Sequence, residues 1–317
     1  MAKNNSLKNT ELEKAYEYCE SVTRLHAKSF YFAAKFLPKH KQKAVYPIYA
    51  FCRHVDDEID EAESSGKEAI EAVERWKSQL EEVYFDAKTQ RRKDAKETEV
   101  VENNQQPIAN NQQNLVLSAW QDLLKTYKIP RELPFELMQG VLMDTHTKRY
   151  ESFDELYGYC YRVASTVGLM SSEILGYSDT IALEYAEAMG IAMQLTNILR
   201  DIKEDAAMNR IYLPQEDLRK FGVSEKQIFG GEPNENFIAL IKFQVARARD
   251  YYAKGEKGIA LLEKDSRFTV LLASKIYSKI LDEIEKQNYN VFNKRAHTSK
   301  RQKIFAIPQI WLKSRKM

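Results

Sequence analysis

Apolar residues recur at i, i+3, i+4 and i+7 through most of the chain, the period that gives a helix one buried face. The pattern predicts helices over residues 10–27, 39–61, 66–87, 114–127, 133–147, 152–176, 179–206, 234–263 and 266–289. No segment alternates apolar and polar residues in the way of a strand ladder. The pattern lapses over residues 88–114, where Gln90-Arg-Arg-Lys-Asp94 and two Asn/Gln clusters have the composition of a polar connector. The residues before it are too few for an independent core, so it reads as an insertion between two helices of one domain. Gly230-Gly-Glu-Pro233 marks a second loop ahead of a long helix. The expectation is a single all-α domain over residues 1–317.

Composition supports helices. Eleven Gly and eight Pro among 317 residues are about half the usual share, and a β-sandwich would need both at its turns. No run approaches the roughly 18 apolar residues that cross a bilayer. The first ten residues carry no apolar stretch of signal-peptide type. Cys19, Cys52 and Cys160 form no CxxC pair, and their odd number argues against a disulfide framework. Together these features predict a cytoplasmic protein with reduced thiols.

The net charge of +2 conceals an asymmetry. Residues 291–317 hold eight Lys and Arg and no acid, leaving 40 basic against 46 acidic residues in the body. Between these cations, Ile304 to Leu312 interleaves apolar and aromatic residues. Residues 296–317 therefore read as a basic amphipathic tail suited to an anionic membrane surface, peripheral to the inner face of the membrane. A solvated, frayed terminus is the bland alternative, and no nucleic-acid partner is expected.

Two helices carry acids where solubility would not put them. At 100° per residue, Tyr49, Arg53, Asp56 and Asp60 fall in one stripe, a quarter turn from Ile48, Cys52, Val55 and Ile59. In the second helix Gln194, Asn197, Asp201 and Asp205 line up beside Ile191, Leu195, Ile198 and Ile202. Acid pairs on solvated faces are common, but acids bordering a core face twice over need a compensating charge. Carboxylate and amide oxygens without His or Cys suit a hard cation such as Mg²⁺, or Mn²⁺ in its place, which shares a substrate's phosphate oxygens. His26, Lys28, Ser29 and Phe30 close the preceding helix with a cation and a hydroxyl, and Arg53 sits where it could reach diphosphate oxygens. Arg200 points off the metal stripe, so its phosphate role would need substrate to wrap around that edge.

At these residues the chain resembles the squalene/phytoene synthase family, the head-to-head prenyl diphosphate synthases. The matching stretches are Ser29-Phe30, Ala44 to Arg53, Asp56-Asp-Glu-Ile-Asp60, Tyr157 to Gly168, and Gln194 to Asp205 followed by Arg210-Ile-Tyr-Leu-Pro214. The resemblance implies an isoprenoid-synthase helical bundle around a central cavity. It implies Mg²⁺ bound by Asp56, Asp60, Asn197, Asp201 and Asp205. Substrate contacts would come from His26, Lys28, Ser29, Phe30, Tyr49, Arg53, Gln194, Arg200 and Arg295. Tyr49, Tyr161 and Tyr277 are candidates for taking protons, each set against the plainer reading of a packing tyrosine. The implied reaction joins two prenyl diphosphates 1-1′ through a cyclopropylcarbinyl diphosphate. Ser165 departs from the glycine usual in the family and adds a side chain where helix and isoprenoid would lie close.

Within this family the chain is most like the bacterial carotenoid enzymes at Gly168 to Ser171 and Asn209 to Pro214, which favours phytoene from geranylgeranyl diphosphate. Dehydrosqualene or squalene synthase acting on farnesyl diphosphate is the alternative, and NADPH enters only if squalene is the product. Head-to-tail elongases share Asp-Asp-x-x-Asp, but Asn197 and a lone Asp201 replace their second aspartate pair. A non-enzymatic helical scaffold docking to membranes leaves both acidic stripes unexplained.

Overall fold

The computed structural model describes residues 2–61, 66–94 and 112–317. Residues 95–111, most of the polar insertion, lie outside the described residues. The predicted all-α class is observed, with no strand among the described residues and only two isolated bridges.

Most predicted segments appear with nearly the predicted limits. The helices α1 (Ala2–His26), α2 (Lys28–Ala34), α3 (Lys39–Glu61), α4 (Gly66–Asp94), α5 (Gln112–Thr126) and α6 (Glu132–His146) make up the first part. They are followed by α7 (Phe153–Cys160), α8 (Thr166–Leu175), α9 (Ile181–Ala207), α10 (Gln215–Phe221), α11 (Glu225–Gly230), α12 (Glu235–Lys257), α13 (Lys264–Lys286) and α14 (Lys300–Ser314). Pro47 lies inside α3 without ending it. The chain divides into two compact units, Met1–Thr145 and His146–Met317.

In the first unit α3 packs against α1, α4 and α5. Its buried face is Ile48, Phe51, Val55 and Ile59, and Phe51 meets Trp76 edge-on at 5.4 Å and Trp120 at 4.9 Å between ring centroids. Tyr16 of α1 donates its hydroxyl to Asp122 of α5 at 2.9 Å. This packing leaves Asp56 and Asp60 along the border of the buried face of α3.

In the second unit α9 is the central element, packed by α8, α12 and α13. The segment predicted as one helix over 152–176 is α7 and α8 joined by a π turn, Tyr161–Ser165, in which the Thr166 amide reaches back five residues to the Tyr161 carbonyl. The Thr166 hydroxyl takes the Arg162 carbonyl at 2.6 Å, satisfying an acceptor that the wider turn displaces. Ser165 is fully buried and donates to the Glu187 carbonyl at 2.8 Å. The extra side chain flagged at this position thus lies between helices, against α9.

Gly190 is what lets α9 come this close. A Cβ built there would fall 2.4 Å from the Ser165 Cα, a clash with backbone that no rotamer change relieves. Gly190→Ala is expected to cost about 1–3 kcal/mol by overpacking and to lower the thermal midpoint by several degrees. Gly230→Ala, where an added methyl meets open space, is expected to leave it unchanged; equal midpoints for the two variants would contradict this account of the helix contact.

Candidate active site

On α3 the packing separates the acids by task. Glu58 faces α4, accepting hydrogen bonds from Arg75 at 2.7 Å and from the Trp76 indole at 2.6 Å. Asp57 is taken by Arg53, whose Nε donates to it at 2.9 Å while the guanidinium also reaches Asp56 at 3.2 Å. Asp56 is half-exposed and Asp60 exposed, on the same edge as half-exposed Tyr49. Phe30 stacks on Tyr49 at 6.1 Å, which brings the α1–α2 junction, with exposed His26 and Lys28 and half-buried Ser29, alongside this edge. Partial burial and the neighbouring Asp60, opposed by Arg53 and reinforced by Asp57 and Asp144, push the Asp56 carboxyl up to about 6. Arg53 therefore does not offset the burial of Asp56 and the acids around it.

His54, next to this edge, shares a 2.7 Å hydrogen bond with the Tyr18 hydroxyl, and its burial lowers its pKa despite Asp57 and Glu58. It therefore supplies little positive charge at neutral pH.

The α9 line resolves its charge differently. Ile191, Leu195, Ile198 and Ile202 are buried, and Gln194, Asn197, Asp201 and Asp205 are each half-buried beside them, as the helical period predicts. Asn197 donates to Gln194 at 3.1 Å and accepts from the Tyr277 hydroxyl of α13 at 3.0 Å. Arg200 forks onto both Asp201 oxygens at 2.8 and 2.5 Å, and Arg295 donates to Asp201 at 2.7 Å. Burial would raise the Asp201 pKa, but these two guanidinium groups hold it below the usual carboxylate range. Arg200, expected to point off the stripe, is tied to it through the carboxylate of its own neighbour. Asp201 is accordingly a paired group, and its removal would take a shared carboxylate from Arg200 and Arg295, the latter keeping Glu204 at 3.9 Å.

The structure extends this polar line to a residue the sequence reading did not single out. Glu187 lies seven residues before Gln194, on the same helical edge. It accepts a short hydrogen bond from the Tyr157 hydroxyl, and burial together with this carboxylate raises the Tyr157 pKa. The interval 187–194–201 was visible in the sequence, but the partner that gives Glu187 meaning sits on another helix. Asp144, which acts on Asp56 from α6, was hidden for the same reason. Tyr161 is half-buried in the π turn.

The donor sets fit a hard divalent cation. They consist of carboxylate and amide oxygens, and among the described residues no three His, Cys, Asp or Glu side chains close into a cage. The fit is one of donor chemistry: oxygen donors without thiol or imidazole suit a hard cation such as Mg²⁺.

A carboxyl whose pKa rises on folding favours the fold while protonated. For Asp56 that contribution is present below the unfolded value of 3.8 and is lost as the pH rises through about 6. Metal-free Asp56→Asn is therefore expected to melt higher than the parent at pH 7.5, with the gap closing toward pH 4. Thermal melts at the two pH values check this; a variant less stable at pH 7.5 would contradict this account of Asp56.

A profile of the squalene/phytoene synthase family matches residues 23–302. The 15-cis-phytoene synthase of Synechocystis sp. is 37% identical over 316 residues, covering 96% of this chain and 86% of that protein. Chloroplastic phytoene synthase 1 of Solanum lycopersicum is 36% identical over 309 residues, covering 96% of this chain and 69% of that protein. Among solved structures, a dehydrosqualene synthase in complex with ligand superposes with a TM-score of 0.82 at 29% identity, covering 98% of this chain and all of that one. A squalene synthase from Alicyclobacillus acidocaldarius gives 0.74 at 26% identity, covering 89% and 97%. Matched along most of its length in both sequence and fold, the chain belongs to the squalene/phytoene synthase family.

Proposed function

We propose that this prenyltransferase joins two geranylgeranyl diphosphates head to head to give phytoene, the entry reaction of carotenoid biosynthesis, with residues 1–317 acting as one catalytic domain. The observation that carries the reading is the α9 line. Four oxygen donors lie at the edge of a core face, with Arg200 and Arg295 held at its centre by Asp201. This is a composition for gripping a metal-bound diphosphate. The choice of phytoene rests on relatives named phytoene synthases at 34–37% identity.

Asp56 and Asp60 on one stripe, and Asn197, Asp201 and Asp205 on the other, are the residues that would hold Mg²⁺ or Mn²⁺. When bound, such a cation offsets the negative charge that builds on the departing diphosphate. His26, Lys28, Ser29 and Arg53 supply further donors to diphosphate oxygens, as do Gln194, Arg200 and Arg295. The Phe30–Tyr49 stack offers π faces to an allylic cation and keeps water from it. That cation alkylates the double bond of the second prenyl chain, and loss of a proton closes the cyclopropylcarbinyl diphosphate. Departure of the second diphosphate opens and rearranges the ring, and a final proton loss leaves a central double bond. Diphosphate oxygen or a hydroxyl of Tyr49, Tyr161 or Tyr277 takes these protons. Tyr277 is already ordered on the polar line through Asn197.

The second reading, dehydrosqualene or squalene from farnesyl diphosphate, is favoured by the likeness to the solved dehydrosqualene synthase. Squalene alone would require hydride from NADPH. In either case the product is a long hydrocarbon, and we place the enzyme on the cytoplasmic side, peripheral to a membrane.

Incubation with Mg²⁺ and geranylgeranyl diphosphate is expected to yield phytoene, with neither rate nor product changed by NADPH. Squalene formed from farnesyl diphosphate only when NADPH is added would overturn the product assignment and leave the condensation intact. Asp201→Asn is expected to lower turnover at least a hundredfold at saturating Mg²⁺. Because Arg200 and Arg295 lose their shared carboxylate, it is also expected to melt lower than the parent. Near-normal turnover of this variant would remove the α9 line from the reaction.

A further inference from the structure

The basic end of the chain is an ordered helix with two apolar faces. Ser299 and Gln302 form a reciprocal capping box at the start of α14, and Gln302 also donates to Glu283 of α13 at 2.7 Å. Thr298 donates to the Ile276 carbonyl at 2.9 Å, and Lys313 lies 3.7 Å from Glu256. Ala306, Ile310 and Ser314 are buried on the inner side. These contacts seat α14 on the second unit, in place of the frayed terminus that the composition left open.

On the other side, Ile304, Phe305, Trp311 and Leu312 are 57%, 80%, 41% and 57% exposed. At 100° per residue these four fall within an arc of about 120°, away from the buried positions. A helix serving only to cover α13 has no use for a second apolar stripe. Cations bracket this one, with Lys300 and Arg301 at its start and Arg315 and Lys316 at its end. Arg315 lies over the Trp311 ring at 4.0 Å. No acid occurs anywhere in residues 291–317.

We propose that the outer face of α14 docks on the surface of an anionic lipid bilayer. The apolar stripe would enter the boundary between headgroups and acyl chains, and the bracketing cations would meet lipid phosphates. Among the described residues no helix is long and apolar enough to cross a membrane, so α14 lies in the plane of the surface. A second copy of the chain is a poor occupant, because pairing this face with itself would bring two sets of four cations together with no acid between them. The contact itself is independent of the reaction, but its purpose rests on the prenyl reading above. Arg295, five residues before α14, bonds Asp201, so the segment leading to the docking helix also closes one end of the α9 line.

The test uses the full chain with vesicles of phosphatidylcholine, with and without about 30% phosphatidylglycerol. Trp76 and Trp120 are buried, so Trp311 is the tryptophan able to report transfer into lipid. The parent is expected to bind the anionic vesicles at least tenfold more strongly than neutral ones, with a blue shift of tryptophan fluorescence and weaker binding at 0.5 M than at 0.1 M salt. K300Q/R301Q is expected to lose about 25-fold at roughly fivefold per cation. F305Q/L312Q is expected to lose at least tenfold and the blue shift. All four side chains are exposed, so thermal midpoints and turnover in detergent should match the parent. Unchanged vesicle binding by both variants overturns the proposal. Concentration-dependent dimerisation that F305Q/L312Q abolishes, with vesicle binding intact, assigns the face to a second copy and overturns it too. Failure of the prenyl reading would show in product analysis and leave vesicle binding as it is.

Discussion

A carboxylate at the edge of an apolar core gives up part of its hydration, and each acid on the α3 and α9 stripes must recover that energy from a cation or surrender its charge. The two stripes meet this demand in different ways. On α9, Asp201 is neutralised by two guanidinium groups and the line is ordered by Tyr277 and Asn197. On α3, Arg53 is shared between Asp56 and Asp57, and Asp56 is left holding its proton up to about pH 6. One stripe is thus preorganised by cations that can also bind phosphate. The other is a place where an added divalent cation would gain most.

The fold supplies the rigidity this requires. The contact of Gly190 with the π turn fixes α9 against the segment carrying Tyr157 and Tyr161. Through that contact the polar line continues from Asp205 back to Glu187, whose carboxylate is held by Tyr157. Similarly, Glu58 spends its charge tying α3 to α4, so that the stripe beside it keeps a fixed direction. Glu58 stands two residues from Asp56 and two from Asp60, which puts it about 160° around the helix from both.

Much of this was legible in the sequence. The period of 3.6 marked α3 and α9 within a residue or two of their ends, and the burial of Ile198 beside a half-exposed Asn197 followed from the same arithmetic. What was not legible falls into two kinds. The short helices α2, α10 and α11 span too few turns for a period to register. Pairings between distant segments, such as Arg295 with Asp201 or Tyr157 with Glu187, depend on tertiary placement over 94 and 30 residues of chain. For α14, composition indicated a membrane-seeking tail but not that one face was already occupied. A mixed apolar sequence reads the same whether one face is covered or both are free.

The proposal for the α3 and α9 acids is that each stripe binds divalent cation in the presence of the substrate diphosphate. Its most direct test is paramagnetic resonance of Mn²⁺ with the protein and a prenyl thiodiphosphate that cannot ionise. The parent is expected to sequester Mn²⁺ only when the analogue is present, and Asp56→Asn and Asp201→Asn are each expected to release part of it. Equal sequestration by parent and both variants would contradict the assignment of the metal to these carboxylates.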